Sequence, residues 1–150
     1  MGNEIAQFRE WDEKRQQDWD ILKFPKHREF HHFMMELNKV YEAHPALWEA
    51  DYAQEGFRWI DCHQEEKCIY SFERKSKKER IVAVFHFGNT GEQEYTMKIS
   101  DAKKLKLIYS SDDTEMKKVH PEYQKDLRVE KGQISMLLPA YSARFYQVEK

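Results

Sequence analysis

Two hydrophobic rhythms divide this chain. Over residues 27–41, Phe30, Phe33, Met34, Leu37, Val40 and Tyr41 fall at i, i+3, i+4, i+7, i+10 and i+11, one apolar stripe at the helical period. Pro25 restricts Phe24 to extended shapes and marks a break before the stripe, and Pro45 ends it. Residues 12–22 are charged, with Trp19 and Leu22 three apart, and predict no more than a short helix or irregular turn. From Asp51 the period becomes two. Phe57 and Trp59 alternate, as do Cys68, Tyr70 and Phe72, then Tyr95, Met97 and Ile99, then Leu105, Leu107 and Tyr109, then Ile134, Met136 and Leu138. Residues 80–87 are nearly all apolar, the pattern of a strand buried on both faces, and residues 144–148 make a closing strand. Turn-forming clusters at residues 75–78, 88–91, 110–113 and 131–132 separate these runs. Seven short strands at this spacing predict an antiparallel sandwich. Its core is expected from Phe57, Trp59, Tyr70, Phe72, Val82, Val84, Phe85, Leu107, Met136 and Leu138. Residues 113–123 read as a loop.

A single amphipathic helix cannot bury its stripe alone, so this one packs on the sandwich or on something outside the chain. The fold class is therefore mixed: a short helical segment, residues 1–50, followed by an all-β antiparallel sandwich, residues 51–150.

Composition narrows the classes. The 150 residues hold 25 Lys+Arg against 27 Asp+Glu, a net charge of −2, without the cationic excess of a nucleic-acid binder. No apolar run approaches the roughly 18–20 residues of a membrane span, and charge-dense residues 1–20 lack the order of a signal peptide. Two cysteines make no disulfide scaffold, so a reducing, cytoplasmic setting is the default. Mean hydropathy of −0.95 would suit a disordered chain, but 14% aromatic residues argue for a folded core.

Candidate chemistry is sparse. His27 and His31 stand four apart, the spacing of two zinc ligands on a helix. In the zincin motif a Glu directly follows the first His. Here Glu29 is two residues on, about 200° round the helix, and no third ligand is apparent, so the pair reads as a solvated helix face with no metal. Cys62 and Cys68 bracket a plausible hairpin loop and read as packing residues. Glu4, Glu10, Asp12, Glu13, Asp18, Asp20, Asp51 and Asp61 show no spacing that singles out an acid–base pair. Trp11, Trp19, Trp48 and Trp59, with Tyr52 and Phe57, are either sugar-stacking platforms or core, the usual fate of Trp in a small domain. No phosphate-binding glycine loop or Gly-x-Ser-x-Gly elbow occurs, and nothing calls for a cofactor. The residues alone predict a helix and a sandwich without a self-contained active site.

One combination of motifs is more specific. Met1-Gly2-Asn3-Glu4, Gln7, Arg9-Glu10-Trp11 and Asp18-Trp19-Asp20 open it. Leu37-Asn38, Tyr41, Pro45-Ala46-Leu47-Trp48-Glu49, Asp51, Gly56-Phe57, Trp59-Ile60-Asp61-Cys62 and Ser71-Phe72 continue it. Together they resemble the glycogen (1,4-α-glucan) branching enzymes of the α-amylase superfamily, strongly over residues 1–74 and more weakly to the end. The resemblance implies that residues 1–50 are the end of a catalytic (β/α)8 barrel, with residues 27–41 as its last helix. It implies that residues 51–150 are the all-β C-terminal domain, and that Met1 is an internal family position in a longer protein. The family cuts an α-1,4-glucan and moves the segment to a 6-hydroxyl by a retaining double displacement with an Asp nucleophile, a Glu acid–base and a further Asp. All three lie upstream of Met1 in the family, so no catalytic residue is carried onto this chain, which is expected to be inactive alone. Glu4, Gln7 and Trp11 match the loop at the cleft edge and are the candidate substrate-binding residues, the alternative being that they brace the barrel rim. The implied partners are an α-glucan (glycogen, amylose or starch) and the missing N-terminal barrel, with no nucleic acid and no membrane. Many members carry a Gly-Gly pair and a tyrosine after the turn equivalent to Ser110-Ser111-Asp112. Residues 113–118 have no glycine, so no sugar contact is carried to that loop. A free-standing carbohydrate-binding sandwich is the rival reading. It predicts an exposed coplanar aromatic patch and leaves residues 1–50 without a role.

Overall fold

The structure, a computed structural model, describes residues 2–89, 91–112, 123 and 125–150. It divides into two compact units, Met1–Val40 and Tyr41–Lys150.

The first unit begins with a 3-10 turn at Asn3–Ile5, followed by a second at Trp19–Lys23. Phe24 is extended, as the residue before a proline should be. Helix α1, Pro25–Ala43, then starts on Pro25, whose missing N–H costs nothing in the first turn. It begins two residues earlier than the apolar stripe and continues into the second unit. None of its 19 residues is buried, although Phe30 and Phe33 stack on each other with centroids 5.9 Å apart. The helix satisfies its own backbone, while its apolar stripe is half-buried at Phe33, Met34, Leu37 and Val40 and exposed at Phe30 and Tyr41.

The second unit is an antiparallel sandwich with eight strands among the described residues: β1 Phe57–Gln64, β2 Ile69–Lys75, β3 Arg80–His86, β4 Gln93–Lys98, β5 Lys104–Ser110, β6 Leu127–Arg128, β7 Gln133–Leu138 and β8 Ser142–Glu149. The large sheet runs β1-β2-β3-β8-β5-β6 and the small one is β4-β7. The seven expected strands are all present, and β6 is a two-residue addition. The loop expected over residues 113–123 lies outside the described residues except for Tyr123. Residues 41–50, grouped by pattern with the helix, pack with the sandwich. The 3-10 turn Pro45–Leu47 rests on β2 and β3 and buries Ala46 completely. Glu79 fixes that turn, accepting from His44 Nδ1–H at 2.7 Å, the Ala46 amide at 3.2 Å and Gln147 Nε2 at 2.9 Å.

The core lies between the sheets. Ile69, Val82, Val84, Leu105 and Tyr146 of the large sheet face Tyr95, Met97, Ile134, Met136 and Leu138 of the small one. Of the expected core, Val82, Val84, Met136 and Leu138 are there and Leu107 packs against it. Phe57, Trp59, Tyr70, Phe72 and Phe85 are not, which corrects that expectation. They alternate with the true core residues and so point from the opposite face of the large sheet. The expectation that residues 80–87 form a strand covered on both faces is met in the middle, where Ile81 to Val84 are all buried, and not at the end, where Phe85 is half-buried and Phe87 is 60% exposed.

Candidate functional site

The turn at residues 2–7 is held from three directions. Gly2 takes the left-handed conformation at φ 82°, which an L side chain rarely adopts, and Ala6 follows at φ 52°. These two bends let the Gly2 carbonyl accept from both the Ile5 and Gln7 amides, and Ile5 is fully buried. From helix α1, His27 Nδ1–H donates to the Ile5 carbonyl at 2.9 Å and His31 Nδ1–H to the Glu4 carbonyl at 3.2 Å. The two histidines are thus not a merely solvated face. Their i, i+4 spacing matches two consecutive carbonyls of the turn. On the other side the Gln7 side chain accepts from the Asp18 amide at 3.1 Å and donates to the Arg9 carbonyl at 2.9 Å. Arg9 closes the hairpin on Asp18 at 2.9 Å, and this bond raises the guanidinium pKa above its ordinary value.

Among the candidate substrate-binding residues, Gln7 has both ends of its amide engaged in bracing. Glu4 uses its carbonyl for His31 and is half-buried. Trp11 is 61% exposed. Neighbouring Phe8 is exposed too and meets His27 edge-on at 5.2 Å. The result is a hydrogen-bonded polar turn followed in the chain by two exposed aromatic residues, Phe8 and Trp11.

The second feature is the outer face of the large sheet. Cross-strand register sets Trp59 opposite Phe72, Phe72 opposite Ala83, Ala83 opposite Phe145 and Phe145 opposite Tyr109, one row across five strands. The next row pairs Tyr70 with Phe85 and Phe85 with Ala143. The two alanines leave room for the rings, which meet at 5.2–6.0 Å from Phe57 at one edge to Tyr109 at the other. Trp59 is 50% and Phe87 60% exposed, so the band is uncovered at these points. Burial pushes the Tyr109 phenol up to about 12.

Inside the sandwich several polar groups are paired. Ser71 and Tyr95 share a 2.6 Å hydrogen bond, and burial pushes the Tyr95 phenol up to about 12. Glu73 accepts from Arg80 at 2.6 and 3.0 Å. Cys62 and Cys68 are free and half-buried at the β1–β2 hairpin. The Cys62 Sγ lies 3.7 Å from His63 Nε2, and Cys68 donates to the Glu65 carbonyl. They are therefore hairpin residues rather than core packing. Arg144 is the inward polar side chain that pattern-reading passed over. Its signal was present: it alternates with Ser142 and Tyr146 on the buried face of a strand.

The profile of the α-amylase C-terminal all-beta domain matches residues 59–149. The chain belongs to that family. Its sandwich is accordingly an α-amylase C-terminal all-beta domain preceded by a helix. Over 114 residues the chain is 33% identical to the 1,4-alpha-glucan branching enzyme GlgB of Oceanobacillus iheyensis and 38% identical to that of Aquifex aeolicus. It is 39% identical over 118 residues to the same enzyme of Francisella philomiragia. These alignments take in 75–77% of the chain but only 18% of each relative. Among solved structures, an Anoxybacillus α-amylase superposes with a TM-score of 0.64 at 18% identity, over 98% of this chain and 27% of that one. A maltotriose complex of AmyP E221Q gives 0.63 at 16% identity, over 83% of this chain and 22% of that one. These two likenesses concern the all-beta fold.

Proposed function

We propose that this α-amylase C-terminal all-beta domain, with the helix before it, is the C-terminal portion of a 1,4-α-glucan branching enzyme. In this reading residues 1–50 end the catalytic (β/α)8 barrel and α1 is its last helix. The parent enzyme cleaves an α-1,4-glucan and transfers the segment to a 6-hydroxyl by the retaining mechanism. Its nucleophile and acid–base carboxylates belong to barrel strands ahead of this segment, so the chain alone is inactive. The turn at residues 2–7 stands at the rim of the cleft, with Glu4 and Trp11 available to glucan and Gln7 bracing the loop. The sandwich stabilises the barrel by covering its apolar surface.

The observation that carries this reading is the incompletely covered apolar surface: a 19-residue helix with no fully buried side chain, and an aromatic band open at Trp59 and Phe87. Exposed apolar side chains grouped in this way fit a partner surface outside the chain. That fits a chain that matches 18% of its relatives' length. The free-standing sugar-binding sandwich fits less well. Its stacking platform needs coplanar exposed rings; Phe72, Phe85 and Phe87 come within 12–25° of parallel, but of these only Phe87 is exposed, and exposed Trp59 stands at 89–90° to Phe57 and Phe72.

The test uses a branching enzyme from one of the relatives, shortened to lack the segment this chain matches. The chain should bind that complementary piece, and Trp59→Asp and Phe87→Asp should each weaken binding at least tenfold, because a large apolar side chain contributes about 1.5–3 kcal/mol on burial. Unchanged affinity in both variants would overturn the docking role.

A further inference from the structure

A basic trough lies where β2 ends, β3 begins and β8 ends. Residues 74–80 carry five basic side chains and one acidic one. The β2–β3 turn that holds them is fixed from within. The Ser76 amide donates to the Glu79 carbonyl at 2.9 Å, and Ser76 Oγ accepts from the Lys78 and Glu79 amides at 3.3 and 3.1 Å. The Lys77 amide donates to the Glu49 carboxylate at 3.4 Å. With these backbone donors engaged, the turn is left to present lysine side chains, and Lys75, Lys77 and Lys78 are all exposed.

Two cavities of about 480 and 310 Å³ open beside the turn and share Lys75, Arg80 and Lys150. Arg58, Lys77 and Lys78 complete six lining cations, against three carboxylates, Glu73, Glu79 and Asp101. Two of those carboxylates are turned to other partners. Glu73, 6% exposed, accepts from Arg80 and lies 3.5 Å from Arg58, while Glu79 accepts from His44, Ala46 and Gln147. Arg80 is locked as well, donating to the Asp101 and Ser100 carbonyls at 3.3 and 3.2 Å. By contrast, the ammonium groups of Lys75, Lys77, Lys78 and Lys150 enter no ion pair among the described residues. Of the charges around the lining, Glu49 adds one anion, Glu149 stands opposite Lys104 in the β5–β8 register, and Lys103 offsets the Lys150 carboxyl group. The positive excess therefore stays.

The chemistry of the lining selects the ligand class. No aromatic ring lines either cavity, so nothing there stacks a base or a sugar ring. Ammonium groups are point charges suited to phosphate oxygens, and like charges crowded without counter-ions hold a positive potential that an anion relieves. Two cavities joined through shared cations span more than a single phosphate. We propose that this trough is an anion site for a ligand carrying a short chain of linked phosphate groups, held between the lysines of the β2–β3 turn and Lys150. The site is independent of the branching-enzyme reading.

The experiment titrates the isotope-labelled 150-residue chain with tripolyphosphate and with orthophosphate at fixed ionic strength and follows amide shifts by NMR. Saturable tripolyphosphate shifts centred on residues 75–80 and Lys150 are expected, with orthophosphate weaker by about tenfold or more. Joint Lys75→Gln and Lys78→Gln replacement should weaken tripolyphosphate by about tenfold or more, while Lys106→Gln, at an exposed position on β5, should leave it unchanged. All three positions are exposed, so the variants keep the fold, and their spectra show it. No saturable shift, or an equal loss in Lys106→Gln, would overturn the site, because general attraction to lysine would then account for any binding. Orthophosphate binding as tightly as tripolyphosphate would overturn the linked-phosphate class.

Discussion

Gln7, His27 and His31 share one task, holding a turn whose Gly2 and Ala6 bends no regular element would supply. Each histidine gives one hydrogen bond to a carbonyl, a net contribution of about 0.5–1.5 kcal/mol. His27→Ala and His31→Ala should therefore each speed amide exchange at Ile5 and Gln7 about three- to tenfold and leave the sandwich amides unchanged. Unaltered exchange at those two amides would contradict the bracing role. The sequence placed the two histidines correctly on one helix face. It could not reveal their acceptors, because backbone carbonyls brought in from 22 to 27 residues away leave no mark on local pattern. At the same scale, Tyr95 and Tyr109 titrate in the folded chain near 12 rather than at their ordinary 10.0. Their folded pKa is raised, so their contribution is fully present below pH 10 and is lost as pH rises from 10 to 12. Alkaline titration should show these phenols ionising last, together with loss of the β-sheet circular dichroism signal. Full ionisation of all tyrosines around pH 10 with the sheet intact would contradict this.

The elements themselves were largely legible, since helix and strand differ in hydrophobic period and both periods are clean here. Which face of a strand turns inward was not legible. Alternation groups Phe72 with Tyr70 and Val82 with Val84, but it is silent on which group meets the second sheet, and the usual preference of aromatics for cores favoured the wrong side. The resolving fact is tertiary: β4 and β7 bring Met97, Met136 and Leu138 against the aliphatic side, leaving the rings outside. The link between the turn at Pro45–Leu47 and the sandwich was likewise invisible, because it depends on Glu79 from 33 residues downstream. Glu79→Ala strips the buried Ala46 amide of its acceptor and removes the partners of His44 and Gln147. Unfolding of the sandwich by urea should show a loss of about 2–3 kcal/mol, in the range for hydrogen bonds to a charged group. A loss below about 0.5 kcal/mol would mean that the turn is held by apolar packing alone.

Across the whole molecule, the family likeness and the physical surfaces converge. An all-beta C-terminal domain, an unburied amphipathic helix and a partly open aromatic band are what the proposed role as part of a branching enzyme requires. Sequence motifs in residues 1–74 carried the proposed reading further than periodicity did, because periodicity reports only local packing. The direct measurement is iodine staining of amylose incubated with the purified chain, with the shortened branching enzyme, and with the two combined. The chain alone should leave the blue colour unchanged, the shortened enzyme alone should be weak or silent, and the combination should shift and fade the colour as branches form. Branching by this chain alone, or no recovery in a mixture where the two pieces demonstrably bind, would contradict the account.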